Sequence, residues 1–330
     1  MMRAVQLTTP GPAKEVFKLA DFPLPKLAIG QVLIRIKAFG LNHSELATRL
    51  DEKSPMPPVQ LPRILGIEAV GVVEEAPGFE QQFPKCAKVM TALGGLGRMF
   101  DGSYAEYCCA PASCCILVPE DCGLGWDALA ALPETLQTAH GSLFRALQLK
   151  AGGTLLVRGA TSSVGLTAIS LAKHAGCTVL ATTRSASNQS VLQDAGADHV
   201  IVSTGPTIVK DVKTILPTGV NKVLDLVGTS TVMDSLQCLA ESGICCSTGT
   251  LGGSWSLLNL VPNMALGFGG PKYLTGYGET TFKAENFRAG GAEVGELLKL
   301  VESGALKVKI GKVYRGLENV VEAHEVAHGA

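Results

Sequence analysis

The spacing of apolar residues changes near Trp126. Before it, they come in short strand-like runs such as Gln31-Val-Leu-Ile-Arg-Ile-Lys-Ala38 and Ala69-Val-Gly-Val-Val73, broken by turns at Thr9-Pro-Gly-Pro12 and Ala76-Pro-Gly78. Short runs punctuated by Pro and Gly predict an all-β module. After it, Asp127–Leu149 reads as helical with Pro133 interrupting it. A regular alternation follows: strand Thr154–Arg158, helix Val164–Ala175, strand Thr178–Thr182, helix Ala186–Ala195, strand His199–Val202 and helix Thr207–Leu216. It continues with strand Lys222–Leu226, helix Thr231–Ala240 and strand Ile244–Thr248. Short strands alternating with longer helices predict an α/β fold with a doubly wound parallel sheet. Beyond Gly253 the pattern dissolves into Gly/Pro-rich chain, then resumes as helix Glu293–Ser303, a strand-like run Leu306–Tyr314 and a last helix Leu317–Ala327.

Composition narrows the class. A chain of 330 residues suits two domains, and 46% apolar against 17% charged residues supplies packed cores and excludes a disordered chain. A net charge of −1 without a basic run leaves no nucleic-acid footprint. No stretch approaches the roughly 18 consecutive apolar residues of a membrane span. The opening Met-Met-Arg-Ala-Val-Gln reads as the start of a strand, not a secretory leader, so a cytoplasmic protein is expected. The ten cysteines include three adjacent pairs and no C-x-x-C, which argues against a zinc knuckle or thioredoxin-type motif. They read as small buried side chains, with Cys86 and Cys122, near turns, as the alternatives for an oxidation-sensitive surface thiol.

The strand Thr154–Arg158 runs into Gly159-Ala160-Thr161-Ser162-Ser163-Val164-Gly165, and a helix begins there. Of a G-x-G-x-x-G dinucleotide fingerprint only Gly165 matches strictly, yet the other residues are small enough for a pyrophosphate to approach helix-start N–H groups. Ser162 and Ser163 either add hydroxyl donors or cap the helix. The next strand ends in Thr183-Arg184-Ser185, with no acid to hold a ribose 2′-hydroxyl. Arg184 follows Gly165 by 19 residues, where an adenosine 2′-phosphate would sit. A guanidinium there suits NADPH over NADH; the plainer alternative is a solvated loop arginine.

Six landmarks in order carry a family resemblance: Phe39-Gly-Leu-Asn-His-Ser-Glu-Leu46, Leu65-Gly-Ile-Glu-Ala-Val-Gly-Val-Val73, Asp101-Gly-Ser-Tyr-Ala-Glu-Tyr107, Ala131-Leu-Pro-Glu-Thr135, Arg158-Gly-Ala-Thr-Ser-Ser-Val-Gly165 and Leu192-Gln-Asp-Ala-Gly-Ala-Asp198. With them the chain resembles the medium-chain dehydrogenase/reductase superfamily, specifically its zinc-independent quinone-oxidoreductase-like branch. The resemblance implies a GroES-like β-rich catalytic domain over 1–125, a Rossmann domain over 126–264, and a return of 265–330 to the first domain, with nicotinamide and substrate in a cleft between them. Where zinc-using relatives carry ligand Cys and His, this chain has Asn42 and Ile67, which cannot build a soft tetrahedral zinc site. The lobe with four closely spaced cysteines is also missing, so no metal is expected.

The same resemblance places Asn42 near the nicotinamide ribose, Thr138 facing the nicotinamide, and Gly249 and Leu251 in the loop that receives the carboxamide. Thr138 read by itself is equally a helix hydroxyl bonding its own backbone. Two positions depart from the pattern: Ala47 replaces a pocket tyrosine, and Ser203 replaces a cofactor-binding tyrosine. Relatives follow the last helix with one more strand, whereas this chain stops at His328-Gly-Ala330, so either it is trimmed or the β domain lacks that strand. Dimerisation through the sheet edge at Ile244–Thr248 is also implied.

Without a Lewis acid, hydride delivery to an electrophilic conjugated carbonyl, a quinone or an α,β-unsaturated ketone or aldehyde, is the expected reaction. The proton would come from His43, Tyr277 or water. Two alternatives stand beside it: an enoyl-thioester reductase of polyketide or fatty-acid chemistry, and an NADPH-binding protein without turnover.

Overall fold

Strands dominate the chain up to Leu117. They are β1 (Met2–Leu7), β2 (Phe17–Phe22) after the short helix α1 (Ala13–Val16), and β3 (Gln31–Ala38); helix α2 (His43–Leu50) follows. Then come β4 (Arg63–Ile64), β5 (Glu68–Glu75), β6 (Lys88–Ala92), β7 (Tyr107–Pro111) and β8 (Cys115–Leu117). They form an antiparallel five-stranded sheet in the order β7-β3-β5-β6-β8 and a three-stranded one in the order β2-β1-β4. Alternation along β3 sends Val32 and Ile34 into a core shared with Ala69, Val73, Phe83, Val89 and Cys108. All ten cysteines are free thiols; Cys86 is exposed, while Cys122 is buried with the other eight, which corrects its expected place on the surface.

The computed structural model describes residues 1–52, 58–205, 207–249, 251, 270–278, 283–290 and 293–328, with the backbone alone for 288–290. The chain divides into two compact units, Met1–Glu134 with Thr280–Asn286 and Ile310–Ala330, and Thr135–Glu279 with Phe287–Lys309. The expected boundary after residue 264, most of the Gly/Pro-rich stretch, and residues 329–330 lie outside the described residues.

Pro133 starts a helix rather than kinking one. Helix α3 (Trp126–Ala130) ends before it, and α4 (Pro133–His140) takes Pro133 as its first residue, where a missing N–H costs nothing. The chain runs on through a π-helical segment, Gly141–Ala146.

The second unit is built on β9 (Thr154–Arg158), α5 (Ser163–His174), β10 (Thr178–Thr183), α6 (Gln189–Asp194), β11 (His199–Val202), α7 (Val209–Ile215), β12 (Val220–Asp225), α8 (Val232–Gln237), β13 (Leu239–Ser247) and β14 (Tyr273–Gly276). All neighbours are parallel, in the order β11-β10-β9-β12-β13-β14. The order reverses between β9 and β12, and such switch points open a ligand crevice at the carboxyl ends of the strands. Helix α8 stops short of the expected Ala240 because Leu239 already pairs with Val220. The sheet edge is β14, not Ile244–Thr248: β13 is paired on both sides.

Helices α9 (Val294–Glu302) and α10 (Val320–His328) close the chain. The expected strand over Leu306–Tyr314 does not form. Its apolar Ile310 and Val313 are 43% and 41% exposed, and the Lys307 N–H donates to the Ser170 hydroxyl instead of a strand ladder. Among the described residues no helix is long and apolar enough to cross a membrane.

Candidate active site

The turn from β9 to α5 is shaped by its two glycines. Gly159 has φ +73°, a conformation in which a side chain is strained, and a Cβ there would stand 3.1 Å from Leu226 and 3.3 Å from Leu251. At Gly165 a Cβ would lie 2.7 Å from the carbonyl oxygens of Gly159 and Ala160, so only glycine lets α5 pack this tightly on the turn. Ser162 is the helix cap: its hydroxyl accepts from the Gly165 N–H at 3.1 Å and donates to the Gly159 carbonyl at 2.8 Å. Ser163 is the exposed first residue of α5. The first-turn N–H groups of Ser163 and Val164 have no acceptor within the helix, and the helix dipole favours an anion there. Lys309 adds a cation by donating to the carbonyl of Thr161 at 3.2 Å, a contribution the sequence pattern hid because 148 residues separate the two.

The remaining expected cofactor residues lie at the same end of the parallel sheet as the turn, with Leu251 against Gly159. β10 ends with Thr183, whose hydroxyl donates to the Ser185 carbonyl, and the Ser185 N–H donates back to that hydroxyl. Arg184 between them is exposed, and among the described residues it makes no ion pair. Ser203 is held by its N–H on the Thr183 carbonyl at 2.9 Å. Gly249, at φ +102°, and Leu251 fold back on β12, the Leu251 N–H donating to the Leu226 carbonyl at 3.2 Å. Leu226 thus walls the turn, a role visible in sequence only as the residue closing the fourth strand of the alternation.

In the first unit, Asn42 caps α2 through its backbone N–H on Glu45 Oε2 at 3.2 Å. Its side-chain Nδ2 donates to Glu68 Oε1 at 2.7 Å. Glu68 and Glu45 are each 2% exposed. Burial, then the nearby Glu134 charge, pushes Glu68 up to about 8. Burial pushes Glu45 up to about 7 against the N–H bonds it accepts, among them Ile67 at 3.1 Å. His43 is exposed at the start of α2. Ile67 is buried, and among the described residues no group of three His, Cys, Asp or Glu is placed to hold a metal ion.

Thr138 lies half-buried in α4. One helical residue before it, Gln137 donates from Nε2 to the phenol of Tyr277 at 3.2 Å. Tyr277 also fills the space beside Gly141, so Gln137, Gly141 and Tyr277 form one cluster in the second unit. Next to it, the Ser142 hydroxyl donates to the Thr248 hydroxyl at 3.2 Å. Gln137 and Gly141 carried no sequence signal, because their partner lies 136 to 140 residues away.

Residues 163–276 match the family described as zinc-binding dehydrogenase, and residues 28–120 match the alcohol dehydrogenase GroES-like domain. The quinone oxidoreductase of Pongo abelii is 29% identical, over 100% of this chain and 95% of its own. The acryloyl-coenzyme A reductase of Sulfurisphaera tokodaii is 27% identical, over 97% and 95%. A mycobacterial protein solved in complex with NADPH superposes with a TM-score of 0.83 at 29% identity, covering 100% of this chain and 97% of that one.

Proposed function

The chain belongs to the medium-chain dehydrogenase/reductase superfamily, in its quinone-oxidoreductase-like branch, and is an oxidoreductase; on that premise we propose that it reduces a quinone or an α,β-unsaturated ketone or aldehyde with NADPH. The observation that carries the reading is Arg184, an exposed guanidinium without an ion pair among the described residues, on a strand end with no acid. The cradle fits the cofactor: a glycine-walled turn, two first-turn N–H groups without helical acceptors, and Lys309 beside Thr161. Bound NADPH supplies the hydride. The turn and Arg184 hold phosphates, Gly249 and Leu251 take the carboxamide, and Asn42 and Thr138 orient the nicotinamide. Of the proton-donor candidates we favour Tyr277, whose phenol oxygen accepts from Gln137, over the exposed His43. NADPH consumption with a panel of quinones and enones tests this; no turnover with any of them sinks it.

A second reading, an enoyl-thioester reductase, is favoured by the acryloyl-coenzyme A reductase among the relatives. Faster turnover of acryloyl-coenzyme A than of any free enone would select it.

A further inference from the structure

Strand β14 ends at Gly276 and runs parallel to β13, so Tyr277 leaves the sheet at its carboxyl end, where the crevice opens. Thr248 leaves β13 at the same end, one residue before Gly249. Two elements supply three tethers to Tyr277. From β13, the thiol of Cys246 is bonded to its backbone N–H. From the helical segment that follows Pro133, Gly141 leaves room for its ring, and Gln137 Nε2 donates to its phenol oxygen at 3.2 Å. Cys246 in turn meets the Thr248 hydroxyl at 3.2 Å, and Ser142 donates to that hydroxyl at 3.2 Å. Residues 137–142 therefore reach both the phenol and the chain that leads to Gly249. Gln137 itself is 1% exposed. The NH₂ end of an amide can only donate, so toward Gln137 the phenol oxygen is an acceptor. The phenol's own hydrogen is thereby turned away from Gln137. The same N–H bonds more strongly to a phenolate than to a phenol.

We propose that Gln137 is a positioning residue for Tyr277: it turns the phenol hydrogen toward the crevice and steadies the phenolate that remains once the proton has gone. The inference rests on the reading that Tyr277 protonates the substrate. In that step hydride from NADPH forms a C–H bond at the β-carbon of an enone, and the π electrons move toward the carbonyl oxygen. The Tyr277 O–H bond then breaks, its proton forms a C–H bond at the α-carbon, and its electron pair stays on the phenol oxygen. Water returns a proton to the half-buried side chain. A donor already in place needs no reorganisation when the negative charge develops beside it.

Two measurements test it in the full-length protein. The first follows the Gln137 side-chain amide signal by NMR, at one pH and without cofactor. Its hydrogen-bonded proton is expected to move upfield in Tyr277→Phe, which keeps the ring against Gly141 and removes the acceptor. An unmoved signal overturns the proposal without needing any change at Gln137. The second is a double-mutant cycle on enone reduction. Gln137→Met keeps the length of the side chain and removes the donor. It is expected to lower kcat about tenfold in the unsubstituted protein and less than about twofold in Tyr277→Phe, with the NADPH Kd within about twofold in both. Equal losses in the two backgrounds would mean that Gln137 only supports the fold, and overturn the proposal. So would an undiminished kcat in Tyr277→Phe. If the protein turns over no quinone or enone, the function reading fails and the proton-transfer role with it. The amide signal then still decides whether Gln137 holds the phenol.

Discussion

The phenol of Tyr277 occupies the space that a side chain on Gly141 would need: a Cβ there would overlap the ring and its hydroxyl. Gln137, four residues earlier, holds the phenol oxygen from the same side of the helical segment. Gly141→Ala is therefore expected to expel Tyr277 and to cost about 1–3 kcal/mol of stability. Thermal unfolding measures the cost, and an unchanged midpoint would mean that Tyr277 moves freely.

Tyr277→Phe keeps the ring and removes the proton. It is expected to lower kcat about 100-fold, in the range of a lost general acid, while leaving NADPH affinity in place. A comparable loss in His43→Gln with none in Tyr277→Phe would assign the proton to His43, and no loss in either would assign it to water.

Arg184→Ala should weaken NADPH binding about 10- to 100-fold, the range of a lost charge-assisted contact, and leave NADH binding as it was. Titration of both nucleotides reads this directly. Equal weakening of both would place Arg184 away from the 2′-phosphate.

Two buried histidines set an acid limit on stability. Burial lowers His324 to about 3 and His140 to about 4. His324 is packed on Phe17 and bonded to the Tyr104 hydroxyl at 3.0 Å. Below about pH 6.5 the unfolded chain binds protons that the folded one refuses, so stability falls as pH drops, by up to about 1.4 kcal/mol per pH unit for each histidine. Denaturant midpoints measured downward from neutral pH check the slope.

Glu68 works in the opposite direction. Raised from 4.5 to about 8, it binds its proton more tightly folded than unfolded, so its contribution to stability falls as pH rises through that window. Glu68→Gln should remove this loss and flatten the alkaline side of the stability curve. Unfolding at about pH 8 and above, compared with about pH 5, tests it.

How far the sequence could be read follows from the range of the forces involved. The βα alternation is local, so β9 to β12 were visible within two residues; the helices between them agree within three, and β13 starts five residues earlier than expected because Leu239 already pairs with Val220. The β9–α5 turn, Arg184 and the missing acid sit at fixed distances along one βα unit, which made the proposed nucleotide site legible. Leu306–Tyr314 failed because its apolar spacing promised a strand, while a strand exists only where another edge receives it. The sheet edge was misplaced for the same reason: β14 follows a long stretch without periodicity, and only its pairing with β13 reveals it.

By itself, then, the sequence determined the two kinds of unit, the strand–turn–helix run from Thr154 to His174, and the residues at positions 42 and 67 that are not zinc ligands, because each depends on residues close along the chain. Only tertiary structure decided what surrounds Asn42 and Tyr277. Gly40, Glu68 and Glu134 converge on one buried carboxyl, and Gln137 and Gly141 on one phenol, from segments far apart in sequence. Burial makes those contacts matter, since a polar group withdrawn from water must find its partner within the fold, and no spacing along the chain announces which partner that is.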